Sequence, residues 1–175
     1  MPAWGYTLLI IIFFLSLIGV LIRISLVRKR QSFRSGYLTG VRASVDAVEG
    51  KDPHTRGHSE RVAEYAVLIA QELGLKSDEV ALVRKAGLIH DVGKVCLPDD
   101  VLTANGLLEP VQQAAMMSHP VLGYEILAES GACAELLLPV RYHHEWHGGG
   151  GYPDGLSGED IPLISRILAV ADAFE

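Results

Sequence analysis

Ala86-Gly87-Leu88-Ile89-His90-Asp91-Val92-Gly93-Lys94 is the stretch whose reading decides the fold. A run of Ala, Leu and Ile delivers an imidazole and a carboxylate at adjacent positions, then glycine and lysine. A carboxylate drawn into apolar surroundings needs a partner, because desolvating a bare charge costs several kcal/mol or more. A divalent cation is one such partner, and neutral imidazole and carboxylate are among its usual ligands. The alternative is an ordinary helix end, with Asp91 as a cap and Lys94 in solvent. The cation is favoured by the number of other ligand-type residues at helix ends elsewhere in the chain.

Working upstream, Ser77 is expected to cap a helix from Asp78 to about His90, with Asp78 and Glu79 in its first turn. Before it, Asp52 or Thr55 can cap a helix running to about Leu73, with Pro53 suited to the first turn. Val62, Tyr65, Ala66, Ile69 and Leu73 form its apolar stripe, and Gly74 is a C-terminal cap signal. His58 lies near its start, four residues after His54, which reads as a loop imidazole.

Working downstream, Pro98-Asp99-Asp100 starts a short helical turn. A helix from about Pro110 must stop near His119, since Pro120 disfavours helical geometry in the residue before it. Pro120 to Glu129 is a further amphipathic piece. Ala134 to Glu145 is helical in composition, with Pro139 as a kink, and ends in His143-His144-Glu145. Adjacent helical residues diverge by about 100°, so these two imidazoles can share an ion only from a helix end or a distorted turn. Gly148 to Gly151 and Tyr152-Pro153-Asp154-Gly155 form a shaped loop that permits close backbone approach. Pro162 opens a last apolar helix in which Asp172 is the only acid between Leu163 and Phe174.

His58, His90, Asp91, His119, His143, His144 and Asp172 exceed what one tetrahedral zinc uses. They suit two ions about 3.5–4 Å apart sharing a carboxylate, a geometry for splitting phosphate esters. No strand-like alternation appears, so the fold is expected to be all-α.

Trp4 to Ile22 carries no charge over 19 residues, close to the ~20 needed to cross a bilayer as a helix. Trp4 and Tyr6 sit at one end, and Arg23, Arg28, Lys29, Arg30 and Arg34 follow the other. The expectation is one N-terminal transmembrane helix placing the remainder in the cytoplasm, a single-pass protein of the inner (cytoplasmic) membrane. Residues 1–24 would be span and flank, 25–50 a juxtamembrane connector or helix, and 51–175 the functional domain. The net charge of −6 and the lack of a basic stripe argue against nucleic acid as a partner. The two cysteines, Cys96 and Cys133, have no metal-site or disulfide spacing and are expected as buried free thiols.

Thr55-Arg56-Gly57-His58-Ser59-Glu60-Arg61-Val62, His90-Asp91-Val92-Gly93-Lys94, His119-Pro120, and His143-His144-Glu145 with Gly149, Gly151, Tyr152 and Pro153 together resemble the HD-GYP family. Ala169-Val170-Ala171-Asp172-Ala173-Phe174 is similar to its closing motif. The resemblance covers about Lys51 to Glu175. It implies an HD-type helical bundle, a cyclic-nucleotide phosphodiesterase that hydrolyses cyclic di-GMP to pGpG or GMP, and two divalent ions of iron or manganese. One ion would be held by His58, His90, Asp91 and Asp172, the other by Asp91, His119, His143 and His144. A hydroxide bridging them would attack phosphorus. Asp91 and Lys94 would be the catalytic residues. Lys94, Gly149, Gly151, Tyr152 and Pro153 would meet the substrate.

Some family members carry a Glu four residues before the first histidine and bind a third metal; His54 stands there, so two ions are expected. The domain is expected to be truncated at its C-terminus, where the family continues with Arg and Lys that grip the nucleotide phosphates. A phosphohydrolase acting on another nucleotide, or a non-catalytic module that binds cyclic di-GMP, is the alternative. A homodimer is compatible with either.

Overall fold

The computed structural model describes the backbone of residues 3–51, 55–104, 106–130 and 134–175, with side chains from Phe13 onward except that of Ser130. The expected caps at Asp52 and Pro53, the imidazole of His54, the thiol of Cys133 and the side chains of Trp4 and Tyr6 lie outside the described residues.

The helices are α1 (Ala3–Glu49), α2 (His58–Glu72), α3 (Ser77–Ile89), α4 (Asp99–Leu102), α5 (Pro110–Met116), α6 (His119–Ser130), α7 (Leu137–Arg141) and α8 (Leu163–Phe174). Short 3-10 turns follow α3 (Val92–Cys96), precede α7 (Ala134–Leu136) and precede α8 (Gly158–Asp160). No strand occurs among the described residues, so the all-α expectation holds. The chain divides into two compact units, residues 1–38 and 39–175.

The transmembrane helix expected at Trp4–Ile22, and the membrane contact expected through it, are not supported. No helix among the described residues is long and apolar enough to cross a membrane. The apolar run ends at Ile22, before Arg23. The helix then continues without a break through Arg28, Lys29 and Arg30 to Glu49.

The second unit is built on α2, α3 and α8. Val62, Ala63, Ala66 and Ala70 of α2 are buried, as the 3.6-residue pattern requires, although Leu73 at the end of the expected stripe is exposed. Val83, Ala86 and Ile89 of α3 and Ile167, Leu168 and Ala171 of α8 complete this layer. Leu127, Leu136 and Val140 extend it beneath α6 and α7. Each fully buried leucine contributes about 1.5–3 kcal/mol over its exposed state. The last turns of α1 join the same core through Val41 and Val45.

Helix ends set the site. α2 closes as expected at Gly74, where Gly74 N–H donates to the Gln71 carbonyl and Leu75 N–H to the Ala70 carbonyl. α3 starts at Ser77 itself; Lys76 is the N-cap, and its N–H is taken by Glu79 Oε2 at 3.0 Å. α5 stops at Met116, and His119 opens α6 rather than closing α5. Pro120 then lies in a first turn, where its missing N–H has no helical partner to lose.

The helix expected to reach Glu145 ends at Arg141. His143 and His144 lie in a turn closed by Glu145 N–H on the Tyr142 carbonyl. Outside a helix, the two neighbouring imidazoles escape the ~100° divergence that would separate them. Cys96 is exposed rather than buried, because it ends a surface turn instead of lying on a packed helix face.

Gly93 is where the site-bearing turn meets α6. A Cβ on Gly93 would overlap the His119 carbonyl oxygen and lie 2.6 Å from Gly123 N. Only a residue without a side chain lets these backbones approach so closely.

Candidate metal centre

His90 and Asp91 leave the C-terminal end of α3, His119 opens α6, His143 and His144 occupy the turn after α7, His58 opens α2, and Asp172 lies in α8. Sequence positions more than a hundred residues apart converge here. Asp91 Oδ1 is 3.1 Å from His119 Nε2 and 3.9 Å from His143 Nε2. Asp91 Oδ2 is 3.5 Å from His90 Nε2 and 3.8 Å from His58 Nε2. Asp172 Oδ1 is 3.1 Å from His58 Nε2 and 3.8 Å from His90 Nε2.

Two sets of ligand atoms are compact enough to hold an ion. Asp91, His119, His143 and His144 form one, and His58, His90 and Asp91 the other, each with all its ligand atoms within 4.8 Å of one another. Asp172 stands beside the second set through its contacts with His58 and His90. Asp91 belongs to both.

The imidazole tautomers explain why a cation fits. Nδ1–H of His90 donates to the Gly87 carbonyl at 2.8 Å, that of His119 to Met116 at 2.7 Å, and that of His143 to Val140 at 2.7 Å. Each bond reaches back three residues and turns Nε2 toward the centre, where a neutral ring offers its electron pair. These donors then face one another: Nε2 of His119 and of His143 are 3.3 Å apart. His90 Nε2 and Asp91 Oδ1 are buried with no hydrogen-bond partner. Buried donors of lone pairs packed this tightly need a proton or a metal ion between them, and second-sphere bonds of this kind orient metal-ligating histidines.

His58 is held differently. Its Nδ1 meets Glu175 Oε2 at 2.5 Å, and Arg61 Nε–H donates to Glu175 Oε1 at 2.5 Å.

The electrostatics divide the cluster. Burial opposes ionisation of Asp91, but the Lys94 ammonium and then the surrounding imidazoles outweigh it and hold the carboxyl well below its usual range. Lys94 Nζ donates to Asp91 Oδ2 at 2.6 Å. Burial disfavours the Lys94 charge, yet Asp91 raises the ammonium above its ordinary value. Burial, followed by the neighbouring imidazoles, pushes His143 well below its usual value; burial and then His119 push His144 down to about 4. Both are neutral at neutral pH, the form that ligates. His58 is raised to about 9, first by its hydrogen bond to Asp172, with burial opposing and Glu175 and Asp91 adding to the rise.

These shifts fix the pH response of metal-free protein. The stability from charged His58 is fully present below its unfolded value of ~6.5 and is lost as pH rises through about 9. The stability from neutral His144 is present above ~6.5 and is lost as pH falls through about 4. Melting temperature in excess chelator is expected to decline on both sides of near-neutral pH, and the alkaline decline to shrink in His58→Gln. An unchanged alkaline limb in that variant would reject the assignment.

A cavity of about 210 Å³ opens beside His58, Asp91, Lys94 and Asp172. Val45, Val48, Leu102 and Met116 give it an apolar wall, and Glu49 and Thr55 close it. The expected substrate loop lies elsewhere, behind His144. The Tyr152 ring stacks on the His144 ring at 4.8 Å and 25°. Tyr152 N–H donates to the His144 carbonyl at 3.2 Å. A Cβ on Gly151 would come within 2.5 Å of that carbonyl oxygen, so the loop can close on the histidine turn only with glycine here. Gly149, at φ 84°, turns the loop with its N–H on the Trp146 carbonyl, and Pro153 follows through a cis peptide.

Three carboxylates had no role assigned from the sequence. Glu175 holds His58. Glu49, buried at the end of α1, meets the start of α2. Glu145 Oε1 accepts the N–H groups of Asp154 at 2.7 Å and Gly155 at 3.0 Å, fastening the loop from inside. Arg141 holds the same loop from outside through both Asp154 oxygens, with the Tyr142 hydroxyl donating to one of them. Only the position of Glu145 directly after the paired histidines hinted at its part. Glu145→Ala is expected to lose about 1–3 kcal/mol and to loosen Tyr152 from His144, read as a lower melting temperature and faster amide exchange at residues 152–155. Wild-type exchange there would refute the fastening.

A helical fold with two overlapping sets of histidine and aspartate ligands around one buried carboxylate defines a class of protein with a cluster able to hold metal. The comparisons make the class specific. Residues 42–175 match the family described as HD domain, and the chain belongs to that family. It is 43% identical over 136 residues to the cyclic di-GMP phosphodiesterase response regulator RpfG of Xanthomonas campestris, covering 74% of this chain and 35% of that protein. It is 37% identical over 128 residues to 3'3'-cGAMP-specific phosphodiesterase 3 of Vibrio cholerae, covering 73% and 28%. It is 37% identical over 132 residues to a cyclic di-GMP phosphodiesterase of Thermotoga maritima, covering 73% and 35%. These relatives agree with the HD-GYP resemblance of the sequence. The matched region spans about a quarter to a third of their length.

Proposed function

We propose that this chain carries the metal-dependent phosphodiesterase centre of an enzyme that opens cyclic dinucleotides, cyclic di-GMP first among them, to linear products. The observation that carries the reading is the convergence of imidazole Nε2 atoms on Asp91 in two compact ligand sets. The names of the relatives support the substrate class. His119, His143, His144 and Asp91 would hold one divalent ion, and His58, His90, Asp172 and Asp91 the other, with iron or manganese the expected metals. Bound there, the ions would supply Lewis-acid stabilisation of phosphoryl charge and activation of the water nucleophile.

The chain's own residues do the rest. Asp91 ties the two sets together, so the spacing of the ions follows from one side chain. Lys94, kept charged by Asp91, stands at the cavity wall where a phosphodiester oxygen would approach, and its ammonium would steady the developing charge. The cavity is smaller than the ~300–1,000 Å³ that enclose a drug-sized ligand. It would admit the scissile phosphate and part of a sugar, and the remaining nucleotide would lie across the surface. The apolar wall of Val45, Val48, Leu102 and Met116 would exclude bulk water from one side of the phosphate. Gly149, Gly151, Tyr152 and Pro153 would act on the nucleotide by shaping the surface behind His144.

The test is turnover by manganese- or iron-loaded protein of cyclic di-GMP and, in parallel, 3'3'-cGAMP, with linear products separated by chromatography. Release of linear dinucleotide or GMP is the expected result. Tight binding of cyclic di-GMP without any product would instead favour a non-catalytic binding module.

A further inference from the structure

α2 begins at His58 without a side-chain cap of its own. Its N-cap residue is Gly57, at φ 72°, which has no side chain to accept an orphan N–H. The missing acceptor comes from another helix. Glu49 Oε2 accepts Gly57 N–H at 3.0 Å, and Glu49 Oε1 accepts Ser59 N–H at 2.8 Å. The two bonds bracket His58 on both sides of its Cα. Glu49 is only 7% exposed, so water cannot readily replace it.

The position of Glu49 calls for an explanation. It is the last residue of α1, where the helix dipole disfavours a carboxylate. What it gains is the N-terminus of α2, where the dipole favours one. The end of α1 is fixed independently of Glu49: seven residues earlier, Arg42 donates to the Leu88 carbonyl at 3.1 Å, two residues before His90, and pairs with Asp46 at 2.7 Å. Val41 and Val45 are buried on the same two turns. Thr55 Oγ1 donates to the Glu49 carbonyl at 3.2 Å.

We infer that Glu49 is a positioning residue for the second ligand set: its carboxylate fixes the backbone on either side of His58 and so aims that imidazole at the Asp91–Asp172 side of the centre. The inference rests on the metal-holding reading above and assigns Glu49 to one set only. His119, His143 and His144 are carried by α6 and the turn after α7, whereas the hydrogen bonds of the Glu49 carboxylate go to Gly57 and Ser59 at the start of α2.

The experiment is manganese(II) titration of the full chain, with free ion counted by electron paramagnetic resonance, on wild type, Glu49→Gln, His58→Ala and the double variant. Glutamine keeps the size but presents an NH2 to one of the two N–H donors. Glu49→Gln is expected to weaken one site by ~10–100-fold, the usual effect of losing an outer-sphere partner, and to leave the other within about threefold. The weakened site should be the one His58→Ala removes, and the double variant should lose nothing more, as for two residues acting through one contact. Unchanged binding in Glu49→Gln, or equal weakening of both sites, overturns the inference. Should Glu49→Gln fail to fold, Glu49→Asp is read by the same two criteria. Wild type that binds no manganese rejects the metal reading and this inference together. Wild type that binds two ions but turns over no cyclic dinucleotide rejects only the activity.

Discussion

Asp91→Ala is expected to abolish metal binding at both ligand sets and to lower cyclic dinucleotide turnover by on the order of 10³-fold or more. The reason is geometric. Asp91 is the single residue common to both sets. One of its oxygens faces His119 and His143, the other faces His58 and His90. Loss of His58 or His144 leaves one set intact; loss of Asp91 leaves neither. The same substitution strands the Lys94 ammonium, whose hydrogen bond to Asp91 Oδ2 keeps its charge in place. Elemental analysis of purified protein and chromatographic turnover assays read both effects. An Asp91→Ala protein that retained two ions per chain would show that the carboxylate does not link the sets.

Gly93→Ala is expected to destabilise the fold by ~3 kcal/mol or more, the upper part of the overpacking range. The added methyl would meet backbone on two sides, the His119 carbonyl and Gly123 N, and neither can rotate away. At roughly 2–4 °C per kcal/mol for a chain of this size, the melting temperature should fall by about 6–12 °C. The strain passes directly to His119, so ions held with His119, His143 and His144 should weaken as well. Gly148→Ala is the control, since a Cβ there meets open space, and it should melt within about 1 °C of wild type. A Gly93→Ala protein matching that control would mean that the turn after α3 and the start of α6 can separate at little cost.

The sequence was most legible where its signals are local. The stripe of Val62 and Ala66 reports α2 because side chains 3.6 residues apart share a face. Gly74 reports its end because the capping bonds lie within five residues. The turn that frees His143 and His144 was foreseeable as a requirement, since a regular helix separates neighbours, though its start at Tyr142 was not. Pro120 correctly marked a helix boundary near His119, but on which side of the histidine it fell depended on where α5 stopped.

The apolar run at the N-terminus misled for a related reason. Hydropathy counts side chains without regard to where the helix ends, and this helix runs on through a basic stretch to Glu49. The carboxylates were the least legible of all. Glu49 and Glu175 look like ordinary surface acids in the sequence, and Glu145 is marked only by its place after the paired histidines. Their partners lie 8 to 117 positions away, and no periodicity connects such pairs.

Residue types alone determined which atoms could bind a cation and that the chain would fold into helices, because donor chemistry and helical periodicity are properties of side chains and their near neighbours. Tertiary packing alone decided that those atoms meet around Asp91, and which acids brace them. Those arrangements depend on where helices end in space, and that is set by contacts between segments the sequence keeps far apart.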